Sequence, residues 1–297
     1  MGYQSLVSRN SSLRVRGFCD LRGVRLGVLP VMFGSSHGDA IMDQKTFERH
    51  FYRVTHERGR SGAALPTWAD DGSGVVAFDT TTLGLPRRAE VPDVPRAFQL
   101  LDVLSDVECE QLIGITEAMG YHADSPVSLG HDIRHNHNVN WVVDASVDGP
   151  IWTRCAPLVH ERVHGSPALG MNARFRFYRY RAGDYFKAHT DGAWPGSRVI
   201  DGNLHHDAHG DRESLYTILL FLSDGYEGGG TQFFVPQGEA PLLHTQSVRV
   251  STPKGAALCF PHGSHPDHCV HAGEPVTQGT KYIIRSDILY SLRGRVI

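Results

Sequence analysis

From residue 172 onward the apolar residues recur at every second position, in a series of short runs: 172–181, 215–222, 231–235, 247–251, 256–261, 267–272 and 281–290. Alternation of this kind gives each strand one apolar face and one that differs from it. Turns containing glycine or proline separate the runs. Many short strands in series bury their faces by closing into a sandwich or a barrel. No internal repeat is visible.

Upstream the period is helical. Ser105 to Glu108 form a capping box, in which the serine hydroxyl accepts from the Glu108 amide and the glutamate reaches back. Cys109, Leu112, Ile113 and Met119 keep helical spacing, and Gly120 ends the helix. A second helix is expected to start near Asp148 with Pro150 in its first turn, and Pro157 divides it. Residues 43–56 read as a short helix and 57–95, rich in Gly, Pro, Asp and Thr, as a connector, with order beginning near Phe98. Residues 1–95 are therefore expected to be an extension and connector, and 96–297 the functional domain.

Residues 1–41 carry Arg9, Arg14, Arg16, Arg22 and Arg25 against only Asp20 and Asp39. The leading reading is a disordered extension with Met42 as the working start; the alternative is an organelle transit peptide. The default compartment is cytoplasmic. Five scattered cysteines form no CxxC pair, which argues against a disulfide framework or a thiolate zinc site. A net charge of -3 supplies no field for nucleic acid, and no apolar run is long enough to span a bilayer. The sequence carries no signal for oligomeric state.

His189 and Asp191 sit two residues apart, which on a strand places both side chains on one face. A third ligand from elsewhere would complete a facial triad with open positions, the arrangement suited to non-haem Fe(II) chemistry with oxygen. With 18 histidines in the chain, His-x-Asp alone is weak. Lysine, however, is scarce: there are only Lys45, Lys187, Lys254 and Lys281. His271 lies ten residues before Lys281 across a glycine-containing turn. A dicarboxylate chelating a metal at one end would need a cation at the other, and Lys281 would supply it.

These pieces resemble a known family. The strand 177–180 runs into His189 and Asp191; then come Thr217 to Asp224, Glu227 to Phe233 with its three glycines, Lys254 to Phe260, and the segment from His271 to Lys281. In order and spacing the region from about 98 to 290 resembles the prolyl 4-hydroxylase-like branch of the Fe(II)/2-oxoglutarate-dependent dioxygenases. The resemblance implies a mainly β fold with flanking helices around a double-stranded β-helix (jelly-roll) core. It implies iron held by His189, Asp191 and His271. It implies that Lys281 pairs with the far carboxylate of 2-oxoglutarate, and that Tyr180 and Thr217 hydrogen-bond the same cosubstrate. The implied reaction consumes O2 and 2-oxoglutarate, hydroxylates an unactivated C–H of a peptidyl proline or a small amino-acid-like molecule, and releases succinate and CO2, with ascorbate as a reductant. The carboxylate of Asp191 occupies the place a halide would need, which counts against halogenation. The competing class is a non-catalytic jelly-roll module that binds metal or another ligand.

Strand parity marks further candidates. If Tyr180 points inward, so do Tyr178 and Arg176; if Lys281 does, so do Arg285 and Asp287. One of these arginines could take a substrate carboxylate bidentately, or both could form internal pairs with acids. Trp141, at the end of an Asn-rich stretch, either lines the entrance or belongs to the core. The run His262, His265, His268 and His271 is a decoy in part, because residues three apart on a strand face opposite ways. His265 reads as turn surface, and His205 to His209 as a solvated loop that could fold over the site. Gly228 to Gly230 read as a tight turn.

Overall fold

The computed structural model describes residues 42–79, 84–124, 132–237 and 245–292. The reading of residues 1–41 lies outside them. In chain order the elements are α1 (Gln44–His50), β1 (Phe51–Arg58), β2 (Ala64–Asp70), β3 (Arg87–Glu90), β4 (Phe98–Leu101), α2 (Asp106–Met119), β5 (Arg134–His135), β6 (His137–Val142) and α3 (Ala145–Cys155). They continue with β7 (Ala168–Met171), β8 (Arg174–Arg181), β9 (Tyr185–His189), β10 (Arg198–Ile200), β11 (Asn203–His205), β12 (Arg212–Phe221), β13 (Glu227–Gly228) and β14 (Thr231–Pro236). The last are β15 (Thr245–Val250), β16 (Ala257–Pro261), β17 (Val270–Gly273), β18 (Val276–Gln278) and β19 (Thr280–Ser291). Every run of period two from residue 172 onward is a strand.

Two sheets form the jelly-roll. The larger has the order β1-β2-β6-β8-β19-β12-β16-β4-β3, with β7 also paired to β19; the smaller has the order β15-β14-β17-β9-β5. Alternation along the central strands divides the molecule into two cores. Phe175 and Phe177 of β8, with Ile218, Leu220 and Ile284, pack on the helix side against Leu112, Ile115 and Ile151. Tyr178 and Tyr180, with Leu219, Phe221 and Ile283, pack against Phe233 of the smaller sheet. The site lies in this second, inter-sheet layer.

The helices follow their sequence signals with two shifts. In α2, Ser105 and Glu108 make both halves of the capping box and Gly120 is the C-cap. Helix α3 starts at Ala145, earlier than the Pro150 signal suggested, because the Asp144 side chain caps Ser146. It ends at Cys155, where a 3-10 turn containing Pro157 follows.

The upstream reading needs correction. The helix expected over 43–56 stops at His50, and the chain continues as β1. Residues 57–95 are not a plain connector, because they supply β2 and β3 to the larger sheet. Four successive residues of β2, Thr67 to Asp70, are buried. Trp68 packs edge-on against Phe47, which stacks on Phe51. The turn residues between these short strands masked their periodicity. No helix among the described residues is long and apolar enough to cross a membrane.

Candidate metal centre

His189 ends β9, Asp191 follows two residues later, and His271 on β17 stands opposite His189 in the antiparallel register. Their ligand atoms all lie within 4.8 Å of one another, and among the described residues they are the only group of three that could hold a metal. Each histidine is aimed by its outer nitrogen. His189 Nδ1 lies 2.8 Å from the Lys187 carbonyl and His271 Nδ1 3.2 Å from the Cys269 carbonyl. A carbonyl only accepts, so each Nδ1 carries the proton and each Nε2 presents a lone pair. The rings are clamped: Phe186 stacks on His189 at 3.5 Å and Phe260 meets His271 edge-on at 4.5 Å.

The electrostatics suit a divalent cation. Burial pushes the His189 imidazole down to about 4, and burial also lowers His271. Both rings are therefore neutral at neutral pH, the form that ligates. Burial alone would raise the Asp191 carboxyl, but Arg285 and the histidines hold it well below the usual carboxylate range. Two neutral imidazoles and a carboxylate with open positions form the donor set suited to Fe(II).

Asp191 is held from behind. Thr217 Oγ1 donates to Asp191 Oδ2 at 2.7 Å, and Arg285 Nε lies 3.2 Å from the same oxygen. Because Thr217 spends its proton on the carboxylate, it must accept from His262 Nδ1 at 2.7 Å. His262 Nε2 then accepts from the Ser214 hydroxyl at 2.8 Å. Thr217, expected to touch the cosubstrate, has its hydroxyl engaged by Asp191 and His262 in this structure. It pairs across β12/β19 with Asp287, six positions along that strand from Lys281. His262 and Ser214 were missed as functional residues. An irregularity of β12 between Ser214 and Tyr216 turns Ser214 toward the same side as Thr217, which simple alternation does not reveal.

A cavity beside the metal ligands is lined by Tyr178, Tyr180, Phe186, Thr231, Lys281 and Arg285, among others. Lys281 faces Tyr180 in register on β8 and β19 and is 4% exposed. Its Nζ donates to the Gly229 carbonyl at 2.5 Å and lies near the Tyr180 and Phe221 rings. Among the described residues no carboxylate pairs with it, and burial pushes it down to about 8. A buried cation without a counter-ion fits the far carboxylate of a dicarboxylate chelated at the metal. Gly228 and Gly229 make the tight turn that brings this carbonyl in: both have positive φ, and a Cβ on Gly228 would lie 2.3 Å from the Pro275 carbonyl oxygen.

The remaining candidates divide. Tyr178 lines the cavity. Arg285 also does, but its charge is committed to Asp191 and, at 3.1 Å, to Asp287. Arg176 lies 3.4 Å from Asp287 with its guanidinium over Trp194. The internal pairs are therefore what the structure shows for both arginines. Trp141 is a core residue: it is fully buried, stacks on Phe177 and donates from Nε1 to Asp70 at 2.9 Å. His265 is buried, not turn surface, and Tyr216 packs edge-on against its ring. His205, His206 and His209 are not part of any metal-compatible group among the described residues.

Comparison with known proteins gives one family. Residues 175–286 match the 2OG-Fe(II) oxygenase superfamily. No curated protein matches the sequence. Among solved structures, the viral collagen prolyl hydroxylase of Paramecium Bursaria Chlorella virus-1, as its 2OG complex, is 19% identical with a TM-score of 0.42, covering 70% of this chain and 97% of its own. A Pseudomonas putida prolyl-4-hydroxylase is 15% identical with a TM-score of 0.41, covering 67% and 93%. A Trichoplax adhaerens prolyl hydroxylase, in complex with a hypoxia inducible factor oxygen degradation domain peptide fragment, is 16% identical with a TM-score of 0.39, covering 61% and 74%.

Proposed function

We propose that this chain, which carries a 2OG-Fe(II) oxygenase domain over residues 175–286, hydroxylates an unactivated C–H of a small amino-acid-like molecule or a peptidyl proline, with succinate and CO2 as coproducts. The observation that carries the reading is the pairing of two features in one cavity: three metal-compatible side chains at its wall, and a buried lysine on β19 with no carboxylate partner among the described residues. A module that only binds a metal has no use for that lysine.

His189, Asp191 and His271 would hold Fe(II), which when bound activates O2 at the expense of 2-oxoglutarate. The chain's own part is positional. The Lys187 and Cys269 carbonyls fix the histidine tautomers. Thr217 and Arg285 hold Asp191 Oδ2 and so fix the orientation of the carboxylate. Lys281 anchors the far end of the cosubstrate, and Tyr180 stands beside it. Phe186, Leu219 and Ile283 give the cavity apolar walls that limit water near the reacting C–H.

The test is anaerobic addition of Fe(II) and then 2-oxoglutarate, read by the weak visible metal-to-ligand charge-transfer band. Wild type should give the band, and His271→Ala and Lys281→Ala should weaken or lose it. A folded wild type without the band would return the chain to the non-catalytic class.

A further inference from the structure

A second buried cation lacks a counter-ion, and it stands near the metal ligands. Arg134, on β5, is only 8% exposed. Its guanidinium lies 5.6 Å from the Tyr178 ring centre and 5.7 Å from that of Phe186. Both rings wall the cavity, and Phe186 is the ring stacked on His189. Among the described residues no carboxylate or carbonyl accepts from Arg134. Arg174, Arg176, Arg179 and Arg285, the other buried arginines, are each paired with an acid. Two residues along, Asn136 is 4% exposed beside Tyr180, and neither of its amide atoms makes a hydrogen bond of normal geometry.

An unpaired buried guanidinium is costly, and the cost is recovered when an anion arrives. The cosubstrate's far carboxylate already has Lys281, which lines the cavity, whereas Arg134 borders it through the Tyr178 and Phe186 rings. We infer that Arg134, two residues before the unsatisfied Asn136, is the anchor for a carboxylate belonging to the primary substrate. Arginine forms two parallel hydrogen bonds to a carboxylate, and the aromatic faces of Tyr178 and Phe186 hold the guanidinium plane for that contact. Phe186 touches both the guanidinium and the ring of His189. A residue inside a chain has its main-chain carboxyl tied up as an amide, so a carboxylate anchor selects a molecule with a free carboxylate. The substrate is accordingly a free amino acid or a small acid, not a residue inside a chain. This rests on the oxygenase reading above and narrows its substrate class.

The experiment measures succinate release from 2-oxoglutarate with the full chain, Fe(II) and O2. The additions are the free L-amino acids, their α-amides, and a proline-containing peptide blocked at both ends. At least one free acid should stimulate release, and its amide should be weaker by roughly tenfold or more, as for a lost charge-assisted pair. Arg134→Gln should raise KM for that acid by a similar factor with a smaller effect on kcat, and Arg134→Lys should restore part of it. Response to the blocked peptide alone, equal response to acid and amide, no response to any free acid, or an unchanged KM in Arg134→Gln would each overturn the inference. The charge-transfer band on the same samples separates the two failures. A band without an acid response overturns this inference alone; no band overturns the oxygenase reading and this inference with it.

Discussion

Thr217 shows how much of a metal centre is set by residues that never touch the metal. Its hydroxyl links the Asp191 carboxylate to His262 and Ser214 in a single donor chain. Replacing it by valine keeps the shape and removes the proton donor. Thr217→Val should weaken Fe(II) binding by roughly 10- to 100-fold, as for other partners of metal ligands; a titration showing wild-type affinity would mean that Arg285 alone holds the carboxylate. Lys281 carries the second prediction at this scale. It must be protonated to pair with a dicarboxylate, and burial pushes it down to about 8. Affinity for 2-oxoglutarate should therefore fall as pH rises through about 8, because the free enzyme loses the ammonium. A flat affinity across that range would argue that the anion is held by other groups. Legibility at this scale varied with distance along the chain. The grouping of His189, Asp191 and His271 came from spacing together with the family resemblance, and Lys281 stood out by the rarity of lysine. The contacts of Thr217 with Asp191 and His262 could not be read, since they depend on how segments far apart in the chain come together.

At the scale of elements, pairing of β9 with β17 sets His189 against His271, and pairing of β8 with β19 sets Tyr180 against Lys281. The cavity's Lys281 end also depends on the turn at Gly228 and Gly229. Gly228→Ala would place a methyl against the Pro275 carbonyl at a backbone angle that alanine resists. It should cost at least about 1 kcal/mol of stability and also weaken 2-oxoglutarate binding, because Gly229 supplies the Lys281 acceptor. Thermal melting and the charge-transfer titration measure the two effects, and a variant that melts like wild type would contradict this account of the turn. The strands after residue 172 were legible because each has one buried face and a clear stop. Strands β2 and β3 were not, since Pro66, Thr67 and the flanking glycines read as connector while neighbouring strands bury them. Only partners far along the chain distinguish such a segment from a loop.

For the whole molecule, the residues before Phe98 complete the larger sheet. β1 and β2 continue it beyond β6, Asp70 accepts from the buried Trp141, and Glu57 pairs with Arg174 on β8. A chain beginning at residue 96 would expose the edge of β6 and leave the Trp141 indole without its acceptor. It should melt at a clearly lower temperature or aggregate, and an unchanged melting temperature would show that residues 42–95 form a separable piece. On the face of that sheet turned to the smaller one, the three metal-compatible residues and the buried lysine share one cavity, read here as an oxygenase site. The most direct test of that reading is release of CO2 from carboxyl-labelled 2-oxoglutarate by the purified full chain with Fe(II) and O2. Iron-dependent release is expected, and Asp191→Ala and Lys281→Ala should each reduce it to background. A folded, iron-loaded protein that releases no CO2, or one whose release survives loss of Asp191, would contradict it.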